Sequence, residues 1–76
     1  MNLKNYQNII VDSNMTRIMK GRIGQKTSHA FLVSELVKQI ELFQVQPPLI
    51  KERAEALIEK GIIKRLDDPN FYEYIS

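Results

Sequence analysis

The segment NMTRIMKGR, residues 14–22, carries a lysine, Lys20, between two arginines and directly ahead of a glycine. The amine of a lysine becomes a nucleophile when it is held toward solvent and loses its proton, whereas most surface lysines are only solvated charges. An apolar helical pattern runs into this segment, so the rotation of that helix decides where Lys20 points. Whether Lys20 is available for chemistry therefore depends on the elements that hold it.

A first helix is predicted over residues 5–22, because four apolar residues occupy the i, i+4, i+7 and i+8 positions of one face: Val11, Met15, Ile18 and Met19. At about 100° per residue, Lys20 lies roughly 180° around the helix from Val11. Gly21 and Gly24 are expected to end the helix. The pattern therefore predicts that Lys20 points away from the core.

The other side chains capable of chemistry do not form a site. The sequence has no cysteine, and His29, without partners at ligand spacing, is expected to be a surface residue at a helix start. Asp67 and Asp68 precede Pro69 and Asn70, where aspartates form turns more often than catalytic pairs. No nucleophile–base pair or glycine-rich phosphate loop is present. The sequence predicts a non-catalytic domain with no metal and no cofactor.

Two more helices are predicted after a turn at residues 24–30. Thr27 or Ser28 is the candidate N-cap of the second helix, whose apolar stripe has five members: Leu32, Val33, Leu36, Val37 and Ile40. Pro48 suits the first turn of the third helix, and Gly61 suits the position after its end. The buried face of the third helix is expected to contain Ile50, Ala54, Leu57 and Ile58.

Two short strands, IIKRL and FYEYI, flank the turn sequence DDPN at residues 67–70. A period of two places Tyr72 and Tyr74 on one face of the second strand. The predicted fold class is mainly α with a small β-hairpin. This order of elements is typical of a winged helix-turn-helix, a three-helix bundle followed by a C-terminal wing.

The composition favours a single soluble, intracellular domain over residues 1–76, with 43% hydrophobic residues to form its core. No apolar run approaches the roughly 20 residues that span a bilayer, and no signal-peptide pattern is present. The net charge of +2 is unevenly distributed. Residues 1–26 hold five basic side chains against one acidic, whereas residues 67–76 hold three acidic side chains and no basic one.

DNA binding is the usual expectation for a winged helix, but the charges oppose it. The third helix balances three cations against three glutamates and has no Asn or Gln to read adenine. The predicted wing tip carries Asp67 and Asp68, which would repel a phosphate backbone. Nucleic-acid binding is therefore an alternative function that these charges oppose.

Four segments resemble the cullin family's C-terminal winged-helix domain in the same order. RIMKGR resembles the Arg-Ile-Met-Lys-x-Arg pattern around its lysine, and HAFLVSEL is similar to its second helix. LIKERAEALIEKGIIKR is similar to its third helix and first wing strand, and FYEYIS to its closing Tyr-x-Tyr motif. The resemblance extends over residues 9–76. Six positions depart from the pattern and indicate a divergent cullin: Met15, Thr16, Gly21, Ile23, Glu52 and Ser76.

The resemblance implies that Lys20 accepts a ubiquitin-like neddylation modifier through an isopeptide bond, which activates a ubiquitin ligase. Arg17, Ile18, Met19 and Arg22 match the motif around the lysine, and the resemblance assigns them to recognition of the modifier or its conjugating enzyme. In this interpretation Lys20 is a substrate, and the domain is not a catalyst.

The resemblance also implies partners and a location. The partners are the modifier and its conjugating enzyme, a RING subunit, a neddylation co-ligase and the deneddylating signalosome. The scaffold of a multisubunit ubiquitin ligase would work in cytoplasm and nucleus, without a membrane. One further alternative remains open, a protein-interaction winged helix whose lysine is never modified.

Overall fold

A computed structural model describes residues 2–75, so that Ser76, one of the departures from the cullin pattern, lies outside the described residues. Within them the chain forms three helices and three strands in the order α1 (Leu3–Lys20), β1 (Thr27–Ser28), α2 (His29–Gln39), α3 (Pro47–Glu59), β2 (Ile63–Arg65) and β3 (Phe71–Tyr74). The predicted helical bundle followed by a hairpin is confirmed. No helix in residues 2–75 is both long enough and apolar enough to cross a bilayer.

The rotation of α1 follows its apolar pattern. Val11, Met15 and Met19 are fully buried, and Ile18 is half-buried against the same core. Lys20 is the last residue of the helix, and its side chain is exposed. The prediction that this helix holds Lys20 away from the core is confirmed.

Both ends of α1 differ slightly from the prediction. The Asn2 side-chain oxygen accepts a hydrogen bond from the Asn5 N–H at 2.8 Å, so the helix begins before residue 5. Gly21 caps the other end in a right-handed conformation, with φ of −72°. A left-handed conformation follows at Gly24, where φ is +80° and a Cβ would be strained. The helix therefore ends at Lys20 and not at residue 22.

The segment predicted as a turn contains a short strand. Thr27–Ser28 pairs antiparallel with β3, so the sheet has three strands in the order β1-β3-β2 and is not a simple hairpin. Ser28 is also the N-cap of α2, because its Oγ accepts a hydrogen bond from the Phe31 N–H at 3.0 Å. A two-residue strand has no apolar period, which is why the sequence pattern missed it.

The apolar stripes of α2 and α3 are confirmed with one exception. Val37 is 54% exposed, so its predicted place in the stripe is wrong, because it lies about 100° around α2 from buried Leu36. Val33 and Ile58 are half-buried against the core. The fully or nearly fully buried members of the two stripes are Leu32, Leu36, Ile40, Ile50, Ala54 and Leu57.

Gly61 joins α3 to the wing, with φ of +77°, a conformation that favours glycine. In the hairpin that follows, Lys64 lies opposite Glu73, and their charged atoms are 3.5 Å apart. Tyr72 is buried and Tyr74 half-buried on the core side of β3, as the period of two predicts. The wing thus closes the same core that α1 contacts.

An ion pair joins α1 to α3 beside this core. The Arg53 guanidinium donates to both carboxylate oxygens of Asp12, each at 2.8 Å, and neither side chain is more than 21% exposed. This hydrogen-bonded contact raises the pKa of Arg53 above its usual value. The pair fixes the helices that carry Lys20 and Lys60 relative to each other.

The rotation of α1 leads to a stability prediction. Met15→Ala should lower the free energy of unfolding by about 2–5 kcal/mol, because it leaves a cavity in the core. Lys20→Arg should change that free energy by less than about 0.5 kcal/mol, because the site is exposed and the charge is kept. Urea unfolding followed by circular dichroism measures both free energies. If Lys20→Arg were destabilised and Met15→Ala were not, the rotation of α1 described above would be contradicted.

Candidate functional site

Lys20 lies at the edge of an open groove of about 510 Å³ between α1 and the end of α3. We call this the α1–α3 groove, and its lining residues are Asp12, Ser13, Thr16, Arg17, Lys20, Leu57, Lys60 and Ile62. Leu57 is buried and Ile62 half-buried, so the floor of the groove is apolar. The lysine amine therefore stands beside a shaped surface.

The α1–α3 groove is positively charged. Its acidic residue, Asp12, is already paired with Arg53. Among residues 2–75, no carboxylate lies within ion-pair distance of Lys20, Lys60 or Arg17. Three cations thus face solvent around the groove without a compensating anion, an arrangement that attracts an acidic partner.

The two arginines of the motif are held by hydrogen bonds to other parts of the domain. Arg17 donates to Asn14 and, at 3.0 Å, to the side-chain oxygen of Gln39 at the end of α2. Arg22 donates to Thr27 Oγ1 at 2.8 Å, and its guanidinium carbon lies 4.5 Å from the centre of the Phe31 ring. Both arginines are therefore fixed in orientation on either side of Lys20.

The structure brings three of the four predicted recognition residues together. Arg17, Ile18 and Arg22 line one shallow depression of about 300 Å³ between α1 and α2. Met19 is fully buried in the core, so the prediction that it takes part in direct recognition is corrected. Its contribution is to anchor α1 next to Lys20.

Sequence reasoning missed the contribution of α3 to the surface around Lys20. Lys60 and Ile62 line the same groove as Lys20, although 40 residues separate the two lysines in the chain. The helical pattern indicates which face of α3 is buried, but it does not indicate which end of α1 that helix packs against. No signal in the sequence could have paired these lysines.

A second cleft, of about 500 Å³, lies between α3 and the wing and includes His29, Lys51 and Tyr72. His29 Nδ1 is 2.9 Å from the Tyr72 hydroxyl, and the two rings meet edge to face at 5.9 Å. Burial lowers the pKa of His29, with smaller contributions from the charges of Lys51 and Arg65. The expected surface histidine is therefore half-buried and bonded to the sheet.

Two arginines near the helix that would read DNA are paired with carboxylates. Arg53 is paired with Asp12, and Arg65 of the wing is paired with Glu55 of α3. Asp67 and Asp68 are exposed at the wing tip. These charges agree with the expectation of weak nucleic-acid binding, which stays a prediction. Within residues 2–75, no three histidine or acidic side chains converge on a position for a metal ion.

The groove beside Lys20 is part of a recognised domain. Residues 7–69 match the family model described as the cullin protein neddylation domain. The chain belongs to the cullin family. The family assignment made from the sequence is confirmed, and the domain is a cullin neddylation domain.

Two relatives show how much of a cullin this chain represents. Human Cullin-4A is 40% identical over 67 residues, which cover 87% of this chain and 8% of Cullin-4A. Cullin-3 of Dictyostelium discoideum is 35% identical over 68 residues, which cover 87% of this chain and 9% of that protein. The chain therefore spans less than a tenth of the length of these relatives.

A solved structure shares the fold of this cullin domain. The structure, described as "A Dual E3 Mechanism for Rub1 Ligation to Cdc53: Dcn1(P)-Cdc53(WHB)", matches with a TM-score of 0.90 and 29% identity. The match covers 97% of this chain and 85% of that chain. The winged-helix fold predicted from the sequence is confirmed.

The lowered pKa of His29 predicts a pH-dependent stability. The unfolded chain takes up a proton at His29 near its usual pKa of 6.5, whereas the folded domain does so only at lower pH. The free energy of unfolding should therefore fall as the pH drops from about 7.5 to about 5.5. His29 is the one histidine of the sequence, so His29→Gln should flatten this slope.

Thermal unfolding of both proteins across this pH range measures the effect. Lys4→Gln, a change at a residue that does not line the cleft, serves as the control and should keep the slope. If the free energy of unfolding fell equally steeply with pH in the wild type and in His29→Gln, the pH dependence could not be assigned to His29.

Proposed function

We propose that this domain is the C-terminal regulatory domain of a cullin scaffold and that Lys20 accepts a ubiquitin-like neddylation modifier. The observation that carries the proposal is the placement of Lys20. It is the exposed last residue of a helix whose opposite face is fully buried, in a chain that belongs to the cullin family. The base of the side chain is thus held at a fixed place on a positively charged surface, a favourable arrangement for transfer between two large proteins.

The proposed reaction is an acyl transfer. The modifier arrives as a thioester between its C-terminal glycine and a cysteine of the conjugating enzyme. The neutral Lys20 amine attacks the thioester carbonyl carbon, a C–N bond forms, and the C–S bond breaks. The cysteine leaves as a thiolate, and the proton lost by the amine passes to a base on the enzyme or to water. Lys20 is consumed as a substrate, so catalysis belongs to the conjugating enzyme and its ligases.

The surroundings of the competing lysines favour Lys20. The ammonium of Lys4 is 3.8 Å from a Glu52 carboxylate oxygen, near the start of α1. The ammonium of Lys26 lies 4.8 Å from the centre of the Phe71 ring, a cation–π contact in the turn after the helix. Transfer to either lysine would have to break these contacts first. Lys20 has no ion-pair partner within residues 2–75.

The rest of the proposal concerns the scaffold that contains this domain. Its ligase would include a RING subunit, and modification would release the domain so that a ubiquitin-conjugating enzyme can approach its substrate. A co-ligase comparable to Dcn1, named with Cdc53 in the similar structure, would assist the transfer, and the signalosome would reverse it. The complex would act in cytoplasm and nucleus. An unmodified interaction domain is the alternative that the following experiment tests.

The test is a reconstituted transfer reaction. The cullin that carries this domain, bound to its RING subunit, is mixed with a conjugating enzyme loaded with the modifier. Lys20→Arg should lower the initial rate of conjugation by at least about 100-fold, because no other amine is held at that position. Lys26→Arg and Lys4→Arg are the matched controls and should react at the wild-type rate. Undiminished conjugation of Lys20→Arg would contradict the proposal.

A further inference from the structure

Lys60 is a charged residue of the α1–α3 groove that has no part in the acceptor chemistry and no ion-pair partner in the described part of the chain. It caps α3, and its backbone N–H donates to the Ala56 carbonyl at 3.1 Å, so the base of its side chain is fixed. Its side chain is exposed, and no carboxylate of residues 2–75 pairs with it. An unpaired cation on the rim of a groove with an apolar floor is a feature typical of a docking surface.

We propose that the α1–α3 groove is the surface on which the conjugating enzyme docks, with Lys60 contacting an acidic patch of that enzyme. This inference rests on the proposed function of Lys20. The thioester carbonyl must come within about 3–3.5 Å of the Lys20 amine for attack. The enzyme that carries the thioester must therefore cover the surface around Lys20, and the groove is one side of that surface.

The chemistry of the groove specifies the docking partner. Lys20, Lys60 and Arg17 are cations, and Asp12 is neutralised by Arg53, so the groove favours an acidic partner. The floor formed by Leu57 and Ile62 gives an apolar contact at the centre, within a rim of charges. An acidic surface with a small apolar centre fits this arrangement, and its association with the groove should weaken with salt.

The test compares two charge reversals on the same helix. Lys60→Glu should raise the KM for the cullin about tenfold in single-turnover transfer, with the maximal rate changed much less, because it weakens docking and leaves the Lys20 amine in place. Lys51→Glu is the matched control. Lys51 is also exposed and unpaired within residues 2–75, but it lies nine positions earlier, about 180° around α3, and lines the other cleft.

Two further variants separate charge from folding. Lys60→Arg keeps the charge and should keep the wild-type KM, whereas Lys60→Gln should give an intermediate KM. Thermal unfolding identifies any variant that fails to fold. An unchanged KM in folded Lys60→Glu, or an equal rise in Lys51→Glu, would overturn the docking proposal. Because product at Lys20 would still form, that result would leave the proposed acceptor role intact.

A competition experiment identifies the occupant of the groove. Excess conjugating enzyme without modifier should inhibit transfer to the wild type, and should inhibit transfer to Lys60→Glu several-fold less. Free modifier should inhibit both proteins equally. Inhibition by free modifier that depends on Lys60 would assign the groove to the modifier and overturn the proposal for the enzyme.

Discussion

The burial of one face of α1 is the constraint on which the rest of the structure depends. Val11, Met15 and Met19 have no exposed surface, so the helix cannot rotate without opening the core. Because a helix advances about 100° per residue, this burial fixes the direction of Lys20 as well. A lysine at the end of a flexible loop would sample many positions. The base of the Lys20 side chain, in contrast, is held in a single position by the buried helix. The same core connects α1 to α3 and to the wing, so the groove beside Lys20 has a fixed shape.

The sequence predicted the elements whose signal is periodic. The apolar stripes of the helices, the exposure of Lys20 and the tyrosine face of the wing all follow from spacing, and the structure confirms them. The predictions are wrong where the spacing of apolar residues does not report the structure. The strand Thr27–Ser28 is too short to show alternation, and Val37 lies next to the stripe of α2 but outside the contact with the other elements. Met19 illustrates a different limit, since the motif assigns to recognition a residue that the apolar pattern of α1 already places in the core.

The tertiary contacts of the site could not have been predicted. Asp12 and Arg53 are 41 residues apart in the sequence. The apolar pattern of each helix shows which of its faces is buried, but it does not show that these two residues form an ion pair. The same holds for His29 and Tyr72, where a histidine at a helix start is half-buried and its ring contacts Tyr72 of β3. The groove that joins Lys20 to Lys60 results from the packing of α1 on α3, and the sequence shows these two residues only as separate surface charges.

In the proposed function, the fixed position of Lys20 on α1, and not merely its charge, makes it the acceptor of the modifier. The most direct measurement is mass spectrometry of the full-length cullin isolated from the cells that produce it, with digestion conditions that preserve isopeptide bonds. One branched peptide is expected, in which the C-terminal glycine of the modifier is joined to Lys20. Branched peptides distributed over Lys4, Lys26 and Lys60, without enrichment at Lys20, would contradict it.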